Sequence, residues 1–371
     1  MKSYRVIGLM TGSSLDGVDV AYCVLEENNG AWTYKIEVAD CIPFSKQWKQ
    51  MLQGLVMQNA VNYLKAETAF GKYLGEVVRD FMNAHSLEGK VDFVSSHGQT
   101  IFHQPENNMT SQIGDGAAIS AACGLPVVCN FRTHDVALGG QGTPIAPIAD
   151  LKFFTDYQFC LNLGGISNIS VKTGGDKIIG YDISGCNTVL NLLAQEMGVE
   201  YDKNGEISQT GNVHQQLLEE LNKQWFYEKP YPKSLGGGWV TKVFMPFFKK
   251  YKLPVQDKLR TAVEHIAVQI GKDLARIMQT EKMDAAVPYK MLVTGGGAFN
   301  QFLMERIAYY SPVEIHVPDR NIVKFKESLL IALMGCLRVR NEVNVLKSVT
   351  GAREDSCGGE VFASVKNKLE V

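Results

Sequence analysis

The chain of 371 residues has almost no net charge, with 37 lysines and arginines against 39 aspartates and glutamates. It has no basic run, so neither nucleic acid nor a membrane surface is expected as a partner. It has no stretch of about eighteen apolar residues, so no spanning helix is expected. Its eight cysteines, Cys23, Cys41, Cys123, Cys129, Cys160, Cys186, Cys336 and Cys357, are scattered without a C-x-x-C pair. That pattern argues against a disulfide frame or a zinc site and reads as free thiols in a reducing cytoplasm. A strand pattern begins at Tyr4, so no signal peptide is expected. Two common nucleotide signatures are also missing. No Gly-Lys-Ser/Thr completes a Walker-A loop, and no Gly-x-Gly-x-x-Gly opens a helix after the first strand. What remains is an ordinary globular composition, 45% hydrophobic and 20% charged, long enough for two domains or one large one.

The richest stretch lies at the start. Tyr4 to Leu9 reads as a strand, Gly8 to Gly17 is rich in glycine and hydroxyl residues, and Val18 to Leu25 reads as the next strand. A strand, small-residue turn and strand make a hairpin whose amides converge on a phosphate. Asp16 and Asp19 sit beside it, placed to hold a metal-bound water or orient a nucleophile. The plainer reading is an ordinary polar turn.

Further along, Lys35–Ile42 reads as a strand and Val61–Phe81 as an amphipathic helix, with Leu64, Phe70, Leu74, Val77, Val78 and Phe81 on one face. Val91–Val94 is a short strand that runs into Ser95-Ser96-His97-Gly98-Gln99-Thr100. Strand ends of this kind hold ligands in α/β sheets, so His97 is either a pocket residue or a structural histidine. A run from Leu125 to Cys129 ends in Arg132, His134 and Asp135, followed by Gly139-Gly140-Gln141-Gly142-Thr143-Pro144. Arginine with histidine and aspartate suits a hydroxylated anion, and the alternative is local ion pairing on a loop. The glycines and Pro144 mark an expected crossing between two lobes.

The second half echoes the first. Phe159–Leu163 and Ile169–Val171 read as strands around the turn Gly164-Gly165-Ile166-Ser167-Asn168. This points to a duplicated α/β domain with one phosphate hairpin in each half. Ile178–Asp182 is a strand with Asp182 at its end, before a helix from Thr188. Asp182 is therefore either a general base or a first-turn helix acid. Pro230 to Gly238 reads as a loop. Lys258–Met278 carries Leu259, Val263, Ile266, Ile270, Leu274 and Ile277 at helical spacing. Met291–Val293 leads into Gly295-Gly296-Gly297 and Asn300, where a ligand can lie against the backbone. Glu327 falls near the start of an apolar helix ending about Leu337, as a cap or a cleft residue. The tail after Asn344 is polar and gives no signal.

Taken in order, these segments resemble the anhydro-N-acetylmuramic acid kinases of the actin-like, sugar-kinase ATPase superfamily. The resemblance rests on Gly8-Leu9-Met10-Thr11-Gly12-Ser13-Ser14-Leu15-Asp16-Gly17, His97-Gly98-Gln99-Thr100, Gln112-Ile113-Gly114-Asp115, Phe131-Arg132 with Asp135-Val136-Ala137, Gly139-Gly140-Gln141-Gly142, Leu161 to Asn168, Asp182 and the triple glycine. It covers nearly the whole chain, from Gly8 to about Leu337.

The resemblance implies an α/β fold of two lobes, built from duplicated ribonuclease-H-like domains around a central cleft. Residues 1–129 with 338–371 would form the first lobe and 130–337 the second. It implies ATP and Mg²⁺. Gly8, Thr11, Gly12, Ser13, Ser14, Asp16, Gly17 and Asp19 would form the first phosphate site, with Asp16 reaching the metal through water. Gly164, Gly165, Ser167 and Asn168 would form the second, and Gly295, Gly296, Gly297 and Asn300 the adenosine motif. His97, Gln99, Arg132, His134, Asp135 and Glu327 would grip the sugar. Asp182 would activate water to open the anhydro bond of 1,6-anhydro-N-acetylmuramic acid, giving N-acetylmuramic acid 6-phosphate during cell-wall recycling. A homodimer in the cytoplasm is also implied.

Three departures stand out. Ile183-Ser184-Gly185-Cys186-Asn187 replaces the family's Thr-Gly-Pro-Gly-Asn, Lys233-Ser234-Leu235-Gly236 replaces Lys-Ser-Thr-Gly, and Ala298-Phe299 stands where a histidine is common. The competing readings are a kinase of the same fold acting on another sugar, and an ATP-binding regulator without sugar chemistry.

Overall fold

A computed structural model of the chain describes residues 2–12, 14–175, 177–235, 238–284 and 286–363. The chain divides into two compact units, Met1–Phe153 with Phe325–Val371 and Phe154–Lys324.

The first unit is built on a sheet in the order β13-β7-β4-β1-β2-β3. Its strands are β1 (Lys2–Thr11), β2 (Gly17–Asn28), β3 (Ala31–Pro43), β4 (Phe93–Ser96), β7 (Val127–Cys129) and β13 (Glu360–Phe362). A separate ribbon pairs β5 (Gln99–Gln104) with β6 (Met109–Ile113). In β1, four consecutive residues from Val6 to Leu9 are buried, the pattern of a central strand covered on both faces. The helix Ala60–Ala84 is capped by Asn59, whose side chain accepts from the Asn62 amide. It buries Phe70, Leu74, Val77, Val78 and Phe81 as expected, each such side chain contributing roughly 1.5–3 kcal/mol. Leu64 is instead exposed, on an open helix face it shares with Lys65, Thr68 and Lys72.

The second unit has its own sheet, in the order β10-β9-β8-β11-β12. These strands are β8 (Phe159–Leu163), β9 (Ile166–Gly174), β10 (Lys177–Gly185), β11 (Lys290–Thr294) and β12 (Glu314–His316). The helix Val255–Thr280 packs Leu259, Val263, Ile266, Ile270, Leu274 and Ile277 into a core separate from that of the first unit.

The two sheets share one topology. In each, three successive antiparallel strands are followed by two strands parallel to the first, β1-β4-β7 in one and β8-β11-β12 in the other. The duplicated ribonuclease-H-like fold of actin-like ATPases is therefore present.

The unit boundaries differ from those suggested by the sequence. Residues 130–153 and 325–337 belong with the first unit. Phe153 meets Tyr34 of β3 with ring centroids 4.8 Å apart, and Lys326 Nζ lies 2.5 Å from the buried Asp150. The Ser328 hydroxyl donates to the Asp19 carbonyl at 3.1 Å. The glycines at 139–142 are not a crossing. A Cβ on Gly140 would lie 2.2 Å from Asp135 Oδ2, so glycine is required there by packing around that carboxylate.

Candidate functional site

The first hairpin turns between Thr11 and Gly17, whose strands pair with Thr11 opposite Val18. The Leu15 amide donates to the Gly12 carbonyl at 3.2 Å, and Leu15 takes a positive φ of 56°. Ser14 and Asp16 are exposed at this tip, Asp19 is half-buried on β2, and Ser13 lies outside the described residues. Two expected phosphate residues have a different cause. Gly8 is inside β1, paired with Ala21 on one side and Ser95 on the other, so its backbone serves the sheet. Gly17 opens β2, where a Cβ would sit 2.2 Å from the Ile42 carbonyl oxygen. Thr11 is buried and donates its hydroxyl to the Gly98 carbonyl at 2.8 Å, tying the hairpin to the end of β4.

That strand end holds an unusual set of buried polar atoms without a protein partner: Ser96 Oγ, His97 Nε2, Gln99 Oε1 and Arg132 Nε. Buried polar atoms are nearly always paired, so a group of them marks a place completed by ligand or water. His97 Nδ1 lies 2.8 Å from the Gly98 carbonyl, which can only accept. The Nδ1 proton is thereby assigned, and Nε2 is left as an acceptor. Burial, aided by the charge of Arg132, pushes the imidazole down to about 3, so the ring stays neutral. His97 lines a cavity of about 270 Å³ together with Gln112, Asn130 and Thr133. Arg132 is itself pushed down to about 10 by burial, with Glu327 opposing that shift, and so remains charged near neutral pH.

His134 is exposed on the short helix Thr133–Ala137. Asp135 is not open to a ligand as expected. It is fully buried, and its oxygens accept from the Gly142 amide at 2.7 Å and from the Thr350 hydroxyl at 2.7 Å. It anchors the segment that carries Arg132. Glu327 lies well inside the helix Arg320–Val339, which rules out the capping role. The residue as a whole keeps solvent-exposed surface, while its carboxyl is pushed up, first by desolvation and then by the charge of Asp19.

In the second unit the hairpin tip is Gly164-Gly165. The Gly164 carbonyl accepts from Asn187, and the Gly165 carbonyl accepts from Cys186 and Thr188, which seats the tip on the helix Asn187–Gln195. Ser167 and Asn168 lie in β9, not in the turn. The Ser167 hydroxyl is fully buried and bonded to Ser184. Asn168 stands opposite Asn162 on one side and Asp182 on the other, and Asn162 stands opposite Thr294. Residues in register across a sheet share a face, so Thr294, Asn162, Asn168 and Asp182 form a polar row over four strands.

Asp182 is within β10, three residues short of its end, beside a register shift between Asp182 and Ser184. Such bulges re-aim a side chain and recur at active sites. Asp182 Oδ2 accepts from the Leu235 amide at 2.8 Å and from the Ser234 hydroxyl at 3.1 Å. Burial raises the carboxyl above its ordinary value, and the Leu235 amide, Ser234 and the Lys233 charge pull it part of the way back. The sequence reading missed Ser234 and Leu235 as its partners. The only signal for them was the Lys-Ser pair in the loop from Pro230.

The triple glycine is demanded locally. Gly295 has φ 83° and ψ 164°, a region that only glycine adopts readily. A Cβ there would lie 2.5 Å from Asn162 Oδ1, and one on Gly297 would lie 2.7 Å from Leu163 Cβ. Gly296 is exposed. Asn300 accepts from the Leu303 amide at 2.9 Å and so caps the helix Gln301–Tyr310.

A family model for anhydro-N-acetylmuramic acid kinase matches residues 4–364. The chain belongs to the anhydro-N-acetylmuramic acid kinase family. It is similar to the anhydro-N-acetylmuramic acid kinase of Sulfurovum sp. (strain NBC37-1), at 32% identity over 98% of this chain and 100% of that protein. The enzyme of Photobacterium profundum is 32% identical over 96% of this chain and 98% of its own length. That of Aliivibrio fischeri is 33% identical over 83% and 84%. As a member of the family the chain is a kinase. Among the described residues, no helix is long and apolar enough to cross a membrane.

Proposed function

We propose that this kinase opens 1,6-anhydro-N-acetylmuramic acid with water and phosphorylates the freed 6-hydroxyl from ATP, giving N-acetylmuramic acid 6-phosphate and ADP. The observation that carries this reading is Asp182, a carboxylate gripped at Oδ2 by two donors while Oδ1 takes neither of them. Oδ1 is the atom that accepts a proton from water. The water oxygen bonds to the anomeric carbon as the bond from that carbon to the bridging oxygen breaks. The bridging oxygen bonds to the γ-phosphorus as the bond to ADP breaks, and the proton on Asp182 passes to solvent. A carboxyl raised toward the working pH is a stronger base than an ordinary aspartate, and one placed base contributes roughly 10²–10⁴-fold. The rest comes from positioning and charge stabilisation.

Arg132, which remains positive, suits the lactyl carboxylate. Ser96, His97 and Gln99 supply further unpaired polar atoms for the sugar, and Glu327 is a further contact. The hairpin tips at Gly12 to Asp16 and Gly164-Gly165 take the phosphates, and the stretch Gly295 to Asn300 takes the adenosine. Among the described residues no three acidic, histidine or cysteine side chains cluster as a metal cage. A single exposed carboxylate at the first hairpin tip, Asp16, fits Mg²⁺, which takes one or two carboxylates with substrate phosphates and water. Asp16 would hold it through water, and the ion would supply neutralising charge to the phosphate oxygens. Cys23, Cys123, Cys129, Cys186, Cys336 and Cys357 are thiols outside any disulfide, which suits work in the cytoplasm, and a homodimer follows the family resemblance.

Purified protein given ATP, Mg²⁺ and the anhydrosugar is expected to release one ADP per sugar phosphate, read by a coupled assay with mass analysis of the product. ADP release that is indifferent to the sugar would overturn the reading. Turnover only with an anhydrosugar lacking the lactyl group would reassign the substrate.

A further inference from the structure

The loop that grips Asp182 is itself pinned by a buried ion pair. Lys233 Nζ lies 3.3 Å from Asp273 Oδ1, with side chains only 2% and 5% exposed. Asp273 belongs to the helix Val255–Thr280, and its other oxygen accepts from the Tyr181 hydroxyl at 2.7 Å. Tyr181 is the residue before Asp182, and Lys233 is the residue before Ser234. One buried carboxylate therefore fastens both sides of the contact that orients Asp182. The backbone agrees with this arrangement, since the Asp182 amide donates to the Lys233 carbonyl at 3.0 Å. The Lys233 ammonium also lies 5.1 Å from the Phe226 ring centroid and 5.6 Å from that of Tyr181.

A buried ion pair contributes little net stability, because removing two charges from water offsets most of their attraction. Apolar residues of similar size would fill this space as well. What such residues cannot do is fix the direction of the strand and of the loop at once. We propose that Lys233 and Asp273 are positioning residues for the Asp182 carboxylate, holding the Ser234 hydroxyl and the Leu235 amide against Oδ2. The inference rests on the reading of Asp182 as the base. It also explains why Leu235 is accepted where the family tends to carry threonine: the contact to Asp182 is made by the backbone amide, and the leucine side chain packs with Phe226 and Tyr227.

The charges around the pair are few. Arg276 donates to Asp273 Oδ1 at 2.7 Å and to the Tyr227 carbonyl at 2.8 Å. Glu228 and Lys272 line a small cavity of about 120 Å³ beside it, and Lys233 is the cation acting on Asp182. Removing Lys233 takes away a positive charge that favours the ionised carboxylate and loosens its two donors. Both effects raise the pH needed to ionise Asp182, so the acid limb of kcat moves to higher pH.

The test compares Lys233→Met, the double variant Lys233→Met/Asp273→Asn, and Asp182→Asn in the sugar-dependent assay, with thermal melting of each. The asparagine in the double variant is neutral and keeps an acceptor for Tyr181. For Lys233→Met, kcat is expected to fall roughly tenfold to a hundredfold with KM for ATP unchanged, and the acid limb to shift upward. In the double variant the melting temperature is expected to recover toward the parent, while kcat and the shifted limb do not. If Lys233→Met does not fold, the double variant decides. The inference is overturned if kcat and the limb recover together with stability, or if Lys233→Met leaves both unmoved while Asp182→Asn is inactive. If Asp182→Asn keeps parental activity, the base assignment fails and this inference fails with it.

Discussion

Replacing Asp182 with asparagine is expected to lower kcat for sugar phosphorylation by roughly 10²–10⁴-fold, the range for loss of one placed general base. The swap is nearly isosteric. An asparagine carbonyl can still accept from the Leu235 amide and the Ser234 hydroxyl, so the local fold and the affinity for ATP should change little. ATP binding measured by calorimetry separates the two quantities. The pH profile carries the same information. On the proposal that Asp182 is the base, it works only when ionised, and burial raises its carboxyl above the ordinary value. The parent's kcat should therefore begin to fall at a higher pH than an unperturbed aspartate would give. The asparagine variant should lose that limb.

The second large effect concerns stability. Gly8→Ala is expected to cost about 3 kcal/mol, the upper part of the range for overpacking a filled site. A Cβ at that position would lie 2.0 Å from the Ser328 carbonyl oxygen and 3.2 Å from the Ala332 amide nitrogen. Both are backbone atoms of the helix Arg320–Val339, so neither can rotate away, and β1 is held on both sides by sheet pairing. Gly12→Ala is the control, because a Cβ there meets only Ser14, at 3.4 Å from its hydroxyl oxygen. Urea unfolding at constant slope should show a large drop in midpoint for the first variant and a small one for the second. Equal, small losses would return Gly8 to a phosphate-binding role.

These two glycines show what the sequence displays and what it hides. The duplicated pattern of strand, small-residue turn and strand was legible at Gly8 to Leu25 and again at Phe159 to Val171, because hydrophobic runs broken by glycine report strand ends directly. The helix Val255–Thr280 was legible from its spacing. The reason for an individual glycine was not, since Gly8 and Gly12 look alike in the chain and differ only in what packs behind them. Asp135 read as a sugar ligand because it stands beside Arg132. Its true partner Thr350 lies in a tail with no periodicity, where β13 also forms by pairing with β7. Ser167 and Asn168 read as turn residues, yet the turn closes in two glycines and both belong to β9. Asp182 was identifiable as a strand acid before a helix. Its donors were not, because one is a backbone amide, which any residue supplies.

The central claim is that a water activated by Asp182 adds to the sugar while the bridging oxygen takes the phosphoryl group. Turnover in ¹⁸O-labelled water, quenched early enough to precede anomeric exchange and read by mass spectrometry, tests it most directly. The account predicts one ¹⁸O at the anomeric hydroxyl of the sugar phosphate and none in its phosphate group. Label in the phosphate, or an unlabelled sugar phosphate, would contradict it.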